Sequence, residues 1–319
     1  MGLGEQALYS ALYMRGAFHP VNQRGNMKRQ ESILKESNQS PQMEGSGALA
    51  RETRGRAEPF FSLLGLRVNK LSGRDLVRVV TDVVQAGGNS VIANHNLHSL
   101  YLWYHEPKMR AFYAAADIIH IDGMSLVCLG NILGLPLKRR DRTTFLDLFP
   151  LLVEQAVEQD WRIFYLGSKP GVTERAAAVL RKQYPTLQIQ AHHGHFNPDR
   201  AGEENQKILK QINDYAPHIL FVGMGMPRQE TWILEYRNDL TVNAIFPAGA
   251  LMDYLAGEIP TPPRWLGSFY LEWLYRLLSE PTRLWRRYLV EPWFVLGQVL
   301  RSQVKMRSRT VAGQDGGGD

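Results

Sequence analysis

Between residues 59 and 260 the chain alternates short apolar, β-branched runs with longer segments of helical periodicity. The predicted strands cover residues 90–93, 118–121, 162–166, 187–191, 218–222 and 242–246. One predicted helix begins at Ser72, a residue suited to the N-cap position, and the others cover residues 107–116, 145–159, 172–184, 200–215 and 227–237. This alternation predicts an α/β fold built around a mainly parallel sheet. In such sheets ligands bind beyond the carboxyl ends of the strands, so residues directly after each strand are the first site candidates.

The flanking segments differ from this central region in composition. Gly, Ser, Gln, Asn, Arg and Glu dominate residues 23–58 without hydrophobic periodicity, and we predict a disordered N-terminal extension over residues 1–58. Residues 59–260 are the predicted core, residues 261–308 a C-terminal appendage, and residues 309–319 a flexible tail. We find no signal peptide and no run approaching the roughly 18 apolar residues of a spanning helix. We therefore expect a protein that is not integral to a membrane.

Basic and aromatic side chains concentrate in the appendage. Residues 264–309 contain nine basic and three acidic side chains, a net charge of +6 that equals the charge of the whole chain. Four of the seven tryptophans lie there as well: Trp265, Trp273, Trp285 and Trp293. Such interleaving is typical of a surface that binds a membrane with anionic lipids, while a helix packed by its aromatic face is the alternative. No nucleic acid is expected as a partner, because no recognised binding motif accompanies the charge.

The single cysteine, Cys128, excludes an internal disulfide and fits a reducing compartment. Its neighbours are mostly apolar, so we predict a buried structural thiol rather than a nucleophile.

Two motifs follow the first two predicted strands. Asn94 and Asn96 offer amides for sugar hydroxyls or a base, although an Asx-turn that caps the next helix is an equal alternative. Asp122 ends the next strand and can serve as a general base, and Gly123 allows a ligand to approach closely. The alternative for Asp122 is an N-cap of the following helix.

Two more motifs follow the last two predicted strands. Residues 223–230 open a helix with Gly223, Gly225 and Pro227, which favours a phosphate or ribose loop. This segment lacks the third glycine of the dinucleotide fingerprint and the Lys-Ser/Thr pair of a Walker loop. Gly249, followed by Asp253, leaves room for a ligand or for close packing between helix and strand.

Taken in this order, the motifs resemble the bacterial WecG/TagA/CpsF glycosyltransferase family. Its members include N-acetylmannosaminyltransferases of wall teichoic acid and enterobacterial common antigen synthesis. The resemblance covers about residues 66–287 and rests on the segments Asp122-Gly123, 164–171, Tyr184-Pro185, 225–230 and 271–288.

The resemblance implies a Rossmann-like α/β core with helices on both faces and a basic, aromatic-rich helical appendage that completes the site. It implies an inverting, metal-independent transfer from a UDP-sugar to an undecaprenyl-diphosphate-linked saccharide, in cell-surface or exopolysaccharide synthesis. The expected location is cytoplasmic, peripheral on the inner face of the membrane, and a homo-oligomer is compatible with it. No cofactor is expected, because the chain lacks an Asp-x-Asp pair and its cluster of His192, His193 and His195 lacks ligand partners.

Site residues are carried over position by position. Asp122 falls on the proposed base of the family, Gln229 on the glutamine of a Pro-x-Gln-Glu motif, and Arg142 on an arginine that precedes a Gly-x-Asp element with Asp147 as its aspartate. The full set of predicted substrate-binding residues is Asn94, Asn96, Gly123, Arg142, Gly167, Gly223, Gly225, Pro227, Gln229, Glu230, Gly249, Asp253, Arg276, Arg283, Arg286 and Arg287.

The chain also departs from the family pattern. Asn94 stands where a threonine is common, Phe145 replaces the glycine of the Gly-x-Asp element, and residues 261–263 replace Arg-Ala-Pro. These changes favour another donor, such as UDP-glucose or a UDP-uronic acid. Two other functions stay open: a nucleotide-sugar-modifying enzyme, which would need the missing dinucleotide fingerprint, and a non-catalytic scaffold that binds lipid-linked saccharide.

Overall fold

The computed structural model describes residues 60–263, 266 and 271–314, with side chains described as far as residue 302. The predicted extension over residues 1–58 and the side chain of Trp265 lie outside the described residues. The strands are β1 (Phe60–Leu63), β2 (Leu66–Asn69), β3 (Ser90–His95), β4 (Ile118–Ile121), β5 (Arg162–Gly167), β6 (Gln188–His192), β7 (Ile219–Gly223) and β8 (Ala244–Pro247).

The helices of the core alternate with these strands. They are α1 (Gly73–Gln85), α2 (Leu97–His105), α3 (Pro107–Ala115), α4 (Met124–Ile132), α5 (Phe145–Glu158), α6 (Val172–Gln183), α7 (Glu203–Tyr215), α8 (Arg228–Tyr236) and α9 (Leu251–Leu255), with 3₁₀ turns at Arg139–Asp141 and Arg237–Asp239. The appendage forms α10 (Glu272–Ser279), α11 (Pro281–Leu289) and α12 (Glu291–Gln314). The last helix thus continues past residue 309, where the sequence predicts the start of a flexible tail.

Six strands form one parallel sheet in the order β4-β3-β8-β7-β5-β6, and β1 and β2 form a separate antiparallel hairpin. Successive side chains of a strand point to opposite faces, so Phe164 and Leu166 pack on one side of the sheet and Ile163 and Tyr165 on the other. Burial on both faces explains why these strands are continuous apolar runs rather than alternating ones. The predicted α/β class is confirmed.

Helices cover both faces of the sheet. One layer contains α2, α3, α4, α7, α8 and α12, which contribute apolar side chains to a single core cluster. The opposite layer contains α1, α5, α6 and α9. Because the sheet lies between the layers, its carboxyl edge is a surface on which side chains from several strands meet.

Two sequence expectations need correction. Cys128 is exposed rather than buried, because it lies on the side of α4 that turns away from Leu126, Val127 and Leu129, which pack into the core. The β1–β2 hairpin and helices α2 and α4 were not among the predicted elements. Among the described helices, none combines the length and the apolar character that crossing a bilayer requires.

Candidate active site

Asp122 directly follows β4, and two amides from the adjacent strand β3 hold its carboxylate. Asn94 Nδ2 donates to Asp122 Oδ2 at 3.1 Å, and Asn96 Nδ2 donates to the same oxygen at 3.4 Å. The backbone N–H of Asp122 donates to the carbonyl of His95 at 2.8 Å, which continues the parallel register of the two strands. The carboxylate is therefore oriented at the edge of the sheet and stays partly accessible.

The sequence left open whether Asn96 and Asp122 cap helices, and the structure gives a different answer for each. Asn96 is the N-cap of α2: its Oδ1 accepts from the backbone N–H of Ser99 at 3.1 Å while its Nδ2 faces Asp122. Asp122 is not a cap, because Gly123 occupies the N-cap position of α4 and no side chain caps that helix. Asn96 thus caps α2 and also hydrogen-bonds the Asp122 carboxylate. Asp122 caps no helix and lies at the edge of the sheet.

A buried polar layer supports this carboxylate from below. Tyr113 Oη donates to the Asn94 carbonyl at 2.9 Å, and Ser99 Oγ lies 2.7 Å from His95 Nδ1. Burial lowers the pKa of His95 to about 3, and it lowers the pKa of His120 to about 4. Both imidazoles are therefore neutral at physiological pH and add no positive charge beneath Asp122.

Positive charge reaches Asp122 from the appendage. Arg287 Nη2 donates to Asn96 Oδ1 at 3.4 Å, and the Arg276 guanidinium lies over the ring of Tyr254, 5.9 Å from its centroid. Asp122 interacts electrostatically with both arginines. The structure therefore brings two of the four predicted appendage arginines to the carboxylate.

The other two appendage arginines lie elsewhere. Arg283 pairs with Glu280 at 2.7 Å and acts electrostatically on Asp253. Arg286 is exposed on α11. Since adjacent residues on a helix point about 100° apart, α11 can turn Arg287 inward only by turning Arg286 away.

Arg142 is already engaged by the protein. Its Nη2 lies 2.8 Å from Glu272 Oε2, and its Nε donates to the Asp122 carbonyl at 3.4 Å. Asp147 is exposed and accepts from Thr144 Oγ1 at 2.7 Å at the start of α5, which is a helix-capping arrangement. The structure thus places Arg142 next to Asp122 and Asp147 in a capping role.

Gly167 and Gly223 end the paired strands β5 and β7. The sequence places both among the predicted substrate-binding residues, and the structure shows what lies next to each. A Cβ at Gly223 would lie 1.8 Å from Tyr165 Oη, and one at Gly167 would lie 2.3 Å from the Gly223 carbonyl oxygen. Protein atoms fill the space, so close packing between strands requires both glycines.

Open space remains at the two neighbouring glycines. Gly225 and Gly249 have positive φ angles of 81° and 57°, and an added Cβ would meet nothing within 4 Å at either position. Pro227 is the N-cap of α8, directly after this loop. Connections from β5 and β7 run to opposite sides of the sheet, and ligands bind at such a switch point in parallel sheets.

Gln229 links the loops that contain Gly225 and Gly249, and Glu230 hydrogen-bonds to Gln229. Gln229 Oε1 accepts from the backbone N–H groups of Gly225 and Gly249, both at 3.1 Å, and its Nε2 donates to Glu230 Oε1 at 2.8 Å. Gln229 is 2% exposed and Glu230 1% exposed. The structure therefore gives Gln229 a bracing position, in contrast to the ligand contact predicted from sequence, because backbone amides occupy its carboxamide oxygen.

Asp253, in α9, contacts the loop that follows β5. Ser168 Oγ, which the sequence reasoning did not select, donates to Asp253 Oδ2 at 2.9 Å. Burial raises the pKa of Asp253, and the Ser168 hydrogen bond opposes this shift. Tyr113 is a further site residue that no local motif indicated, and Glu272 lies in the 271–288 segment but was not among the predicted site residues.

Asp122 with its asparagine partners and the two loops linked by Gln229 lie at one edge of the sheet. Strand β8, which leads to Gly249, pairs with β3 on one side and with β7 on the other. The charges of Asp122 and Glu230 both act on the buried Tyr113. Asp122 and the Gln229 brace therefore lie at the same edge of the sheet.

Chemically, the edge presents a carboxylate that interacts electrostatically with two guanidinium groups. Within the described parts of the chain, no group of three or more His, Cys, Asp or Glu side chains is placed to hold a metal ion. A carboxylate can accept a proton from a hydroxyl, and arginines can offset the charge of a departing phosphate group.

Comparison with known proteins adds two findings. The model of the family described as "Glycosyl transferase WecG/TagA/CpsF family" matches residues 61–309. The chain is also similar to an N-acetylglucosaminyldiphosphoundecaprenol N-acetyl-beta-D-mannosaminyltransferase of Bacillus spizizenii. The two are 29% identical over 189 residues, which covers 59% of this chain and 70% of the relative.

Proposed function

We propose, from the premise that the chain belongs to the WecG/TagA/CpsF glycosyltransferase family, that it is an inverting enzyme that uses a UDP-sugar. The acceptor in this proposal is an undecaprenyl-diphosphate-linked saccharide of cell-surface or exopolysaccharide synthesis. The name of the Bacillus relative supports a lipid-linked acceptor and an N-acetylmannosamine-type donor. The amide at Asn94, where the family often has a hydroxyl, keeps UDP-glucose and UDP-uronic acids among the candidate donors.

One observation carries the proposal: Asn94 and Asn96 orient the Asp122 carboxylate, which interacts electrostatically with Arg276 and Arg287. Asp122 takes the proton of the acceptor hydroxyl while that oxygen attacks the anomeric carbon. The bond from this carbon to the UDP oxygen breaks in the same step, and UDP leaves with its electron pair. The appendage arginines stabilise the negative charge that develops on the diphosphate.

Metal independence is part of the proposal. Arg276 and Arg287 together supply two positive charges, which is the charge that a divalent cation would supply to the diphosphate. In this proposal residues 59–260 bind the donor, and the appendage over residues 261–308 covers the crevice and keeps water from the reacting sugar.

The appendage also supports a peripheral site of action at the inner face of the membrane. Ten of the twelve exposed large hydrophobic side chains among the described residues lie between Leu271 and Leu300. Such a concentration of apolar surface beside arginines fits the interfacial region of a bilayer with anionic lipids.

A UDP-release assay with the purified full-length protein tests the proposal. It pairs UDP-N-acetylmannosamine, UDP-glucose and UDP-uronic acids with polyprenyl-diphosphate saccharides, with and without a chelator. We expect acceptor-dependent UDP release from one donor that the chelator does not change. Release that the chelator abolishes would contradict the metal-free step, and lack of turnover with every donor would favour the scaffold function.

A further inference from the structure

The core and the appendage are joined by an ion pair at the rim of the site. Arg142 Nη2 and Glu272 Oε2 are 2.8 Å apart, and the two side chains are 12% and 34% exposed. Partial burial and a short contact distinguish this pair from exposed ion pairs, which contribute little.

The core end of this pair is fixed to the strand that carries Asp122. Arg142 forms a β-bridge with Ile121, the last residue of β4, and the N–H of Thr143 donates to the Ile121 carbonyl at 2.8 Å. The Arg142 guanidinium therefore has little freedom to move independently of Asp122.

The appendage end is the first residue of α10. Glu272 and Arg276 are four residues apart on this helix, so they lie on the same face one turn apart. Whatever holds Glu272 in place also sets the direction in which Arg276 points. In the structure that direction brings Arg276 over Tyr254 and into the field of Asp122.

We propose that Arg142 and Glu272 are a positioning pair that docks α10 next to the end of β4 and thereby holds Arg276 where it interacts electrostatically with Asp122. In this role Arg142 acts through Glu272 and not as a ligand of the diphosphate. The inference rests on the proposed function for its catalytic consequence, whereas the docking of α10 is independent of that function.

A double-mutant cycle with Arg142→Ala, Glu272→Ala and the combined variant tests the pairing. Loss of a charge-assisted hydrogen bond should lower kcat about tenfold in Glu272→Ala, with donor KM changed less than about twofold. The loss falls on kcat because Arg276 acts on charge that develops only in the transition state. Once Arg142 is alanine, Glu272→Ala should have no further effect.

The cycle has two outcomes that would overturn the pairing. One is an equal loss of kcat from Glu272→Ala in the unmodified protein and in Arg142→Ala, and the other is an unchanged kcat in Glu272→Ala while Arg142→Ala is inactive. The second outcome would make Arg142 a direct ligand of the substrate.

Amide hydrogen exchange of α10 gives a readout that needs no turnover. Each single variant should exchange the amides of residues 272–279 faster than the unmodified protein, and unchanged protection would reject the docking role. Arg200→Ala is the matched control, because it removes a 2.9 Å ion pair with Asp239 in another part of the fold and should alter neither readout. If both single variants exchange faster but the unmodified protein shows no turnover, the docking role is supported and the proposed function is rejected instead.

Discussion

At Asp122 two amide nitrogens converge on one carboxylate oxygen. The amide nitrogen of asparagine is only a hydrogen-bond donor, so Asp122 Oδ2 is the acceptor in both contacts. The oxygens of a carboxylate are acceptors of this kind. The carboxylate is held in one orientation before any substrate arrives, and such preorganisation lowers the cost of reaching the transition state. The three residues act as one unit, since Asn94 is in turn fixed by Tyr113.

Glu230 provides a prediction at the same scale. Burial raises its pKa from an ordinary 4.5 to about 7. As the pH rises between these values, the unfolded chain loses a proton that the folded protein keeps, so stability falls through this window. Between about pH 5 and pH 8 the free energy of unfolding should fall by about 2 kcal/mol more in the unmodified protein than in Glu230→Gln.

Urea unfolding at the two pH values measures this difference. Glutamine at position 230 can still accept from Gln229 through its own oxygen, so the brace is retained in the variant. If the free energy of unfolding changed equally with pH in the two proteins, a raised pKa at Glu230 would be contradicted.

At the level of elements, most of the sheet could be predicted because its strands are short apolar runs between clear helices. The N-cap at Ser72 was also predictable, and the structure shows the reciprocal capping box with Asp75. Helix α2 was missed because it begins two residues after β3, with only Asn96 between them, and because it is itself rich in apolar side chains. The packing role of the glycines at the strand ends was not predicted, because sequence does not reveal that Tyr165 reaches across to Gly223.

The packing role of Gly223 leads to a stability prediction. Gly223→Ala forces a Cβ against Tyr165 Oη and the Gly249 carbonyl oxygen, and it should lower the free energy of unfolding by about 3 kcal/mol. The same substitution at Gly297, in α12 with open space around an added Cβ, should raise it by about 0.5–1 kcal/mol. Thermal unfolding of both variants measures this contrast, and equal effects would show that crowding at Gly223 has no energetic consequence.

At the scale of the whole molecule, the appendage is anchored on the core by its last helix. Phe294 of α12 packs against Tyr101, Tyr104 and His105 of α2, and His98 Nδ1 lies 2.8 Å from Glu291 Oε2. The sequence predicted that this segment is basic and aromatic, but not where it docks, because docking depends on contacts between residues about 190 positions apart. The packing alternative for the appendage is confirmed by the contacts with α2, whereas membrane binding stays a prediction, which the exposed Trp285 and Trp293 motivate.

The exposed face leads to a prediction about membranes. Trp293 and Trp285 are 72% and 48% exposed, and each contributes apolar area that a bilayer interface can bury. Replacing both by Asp should weaken binding to vesicles with anionic lipid at least tenfold, as measured by sedimentation. Phe60→Asp changes a side chain that is 62% exposed outside the appendage and should leave vesicle binding unchanged. Equal binding by all three proteins would remove the membrane role from the appendage.

Turnover of Asp122→Asn tests the central claim most directly. Asparagine keeps the size of the side chain and an oxygen for Asn94 and Asn96, but it cannot take a proton from the acceptor. We predict that acceptor-dependent UDP release falls by about 10²–10⁴-fold, while calorimetric binding of UDP changes little and Asp239→Asn, on an exposed side chain, behaves as the unmodified protein. Release by Asp122→Asn at the unmodified rate would contradict the account.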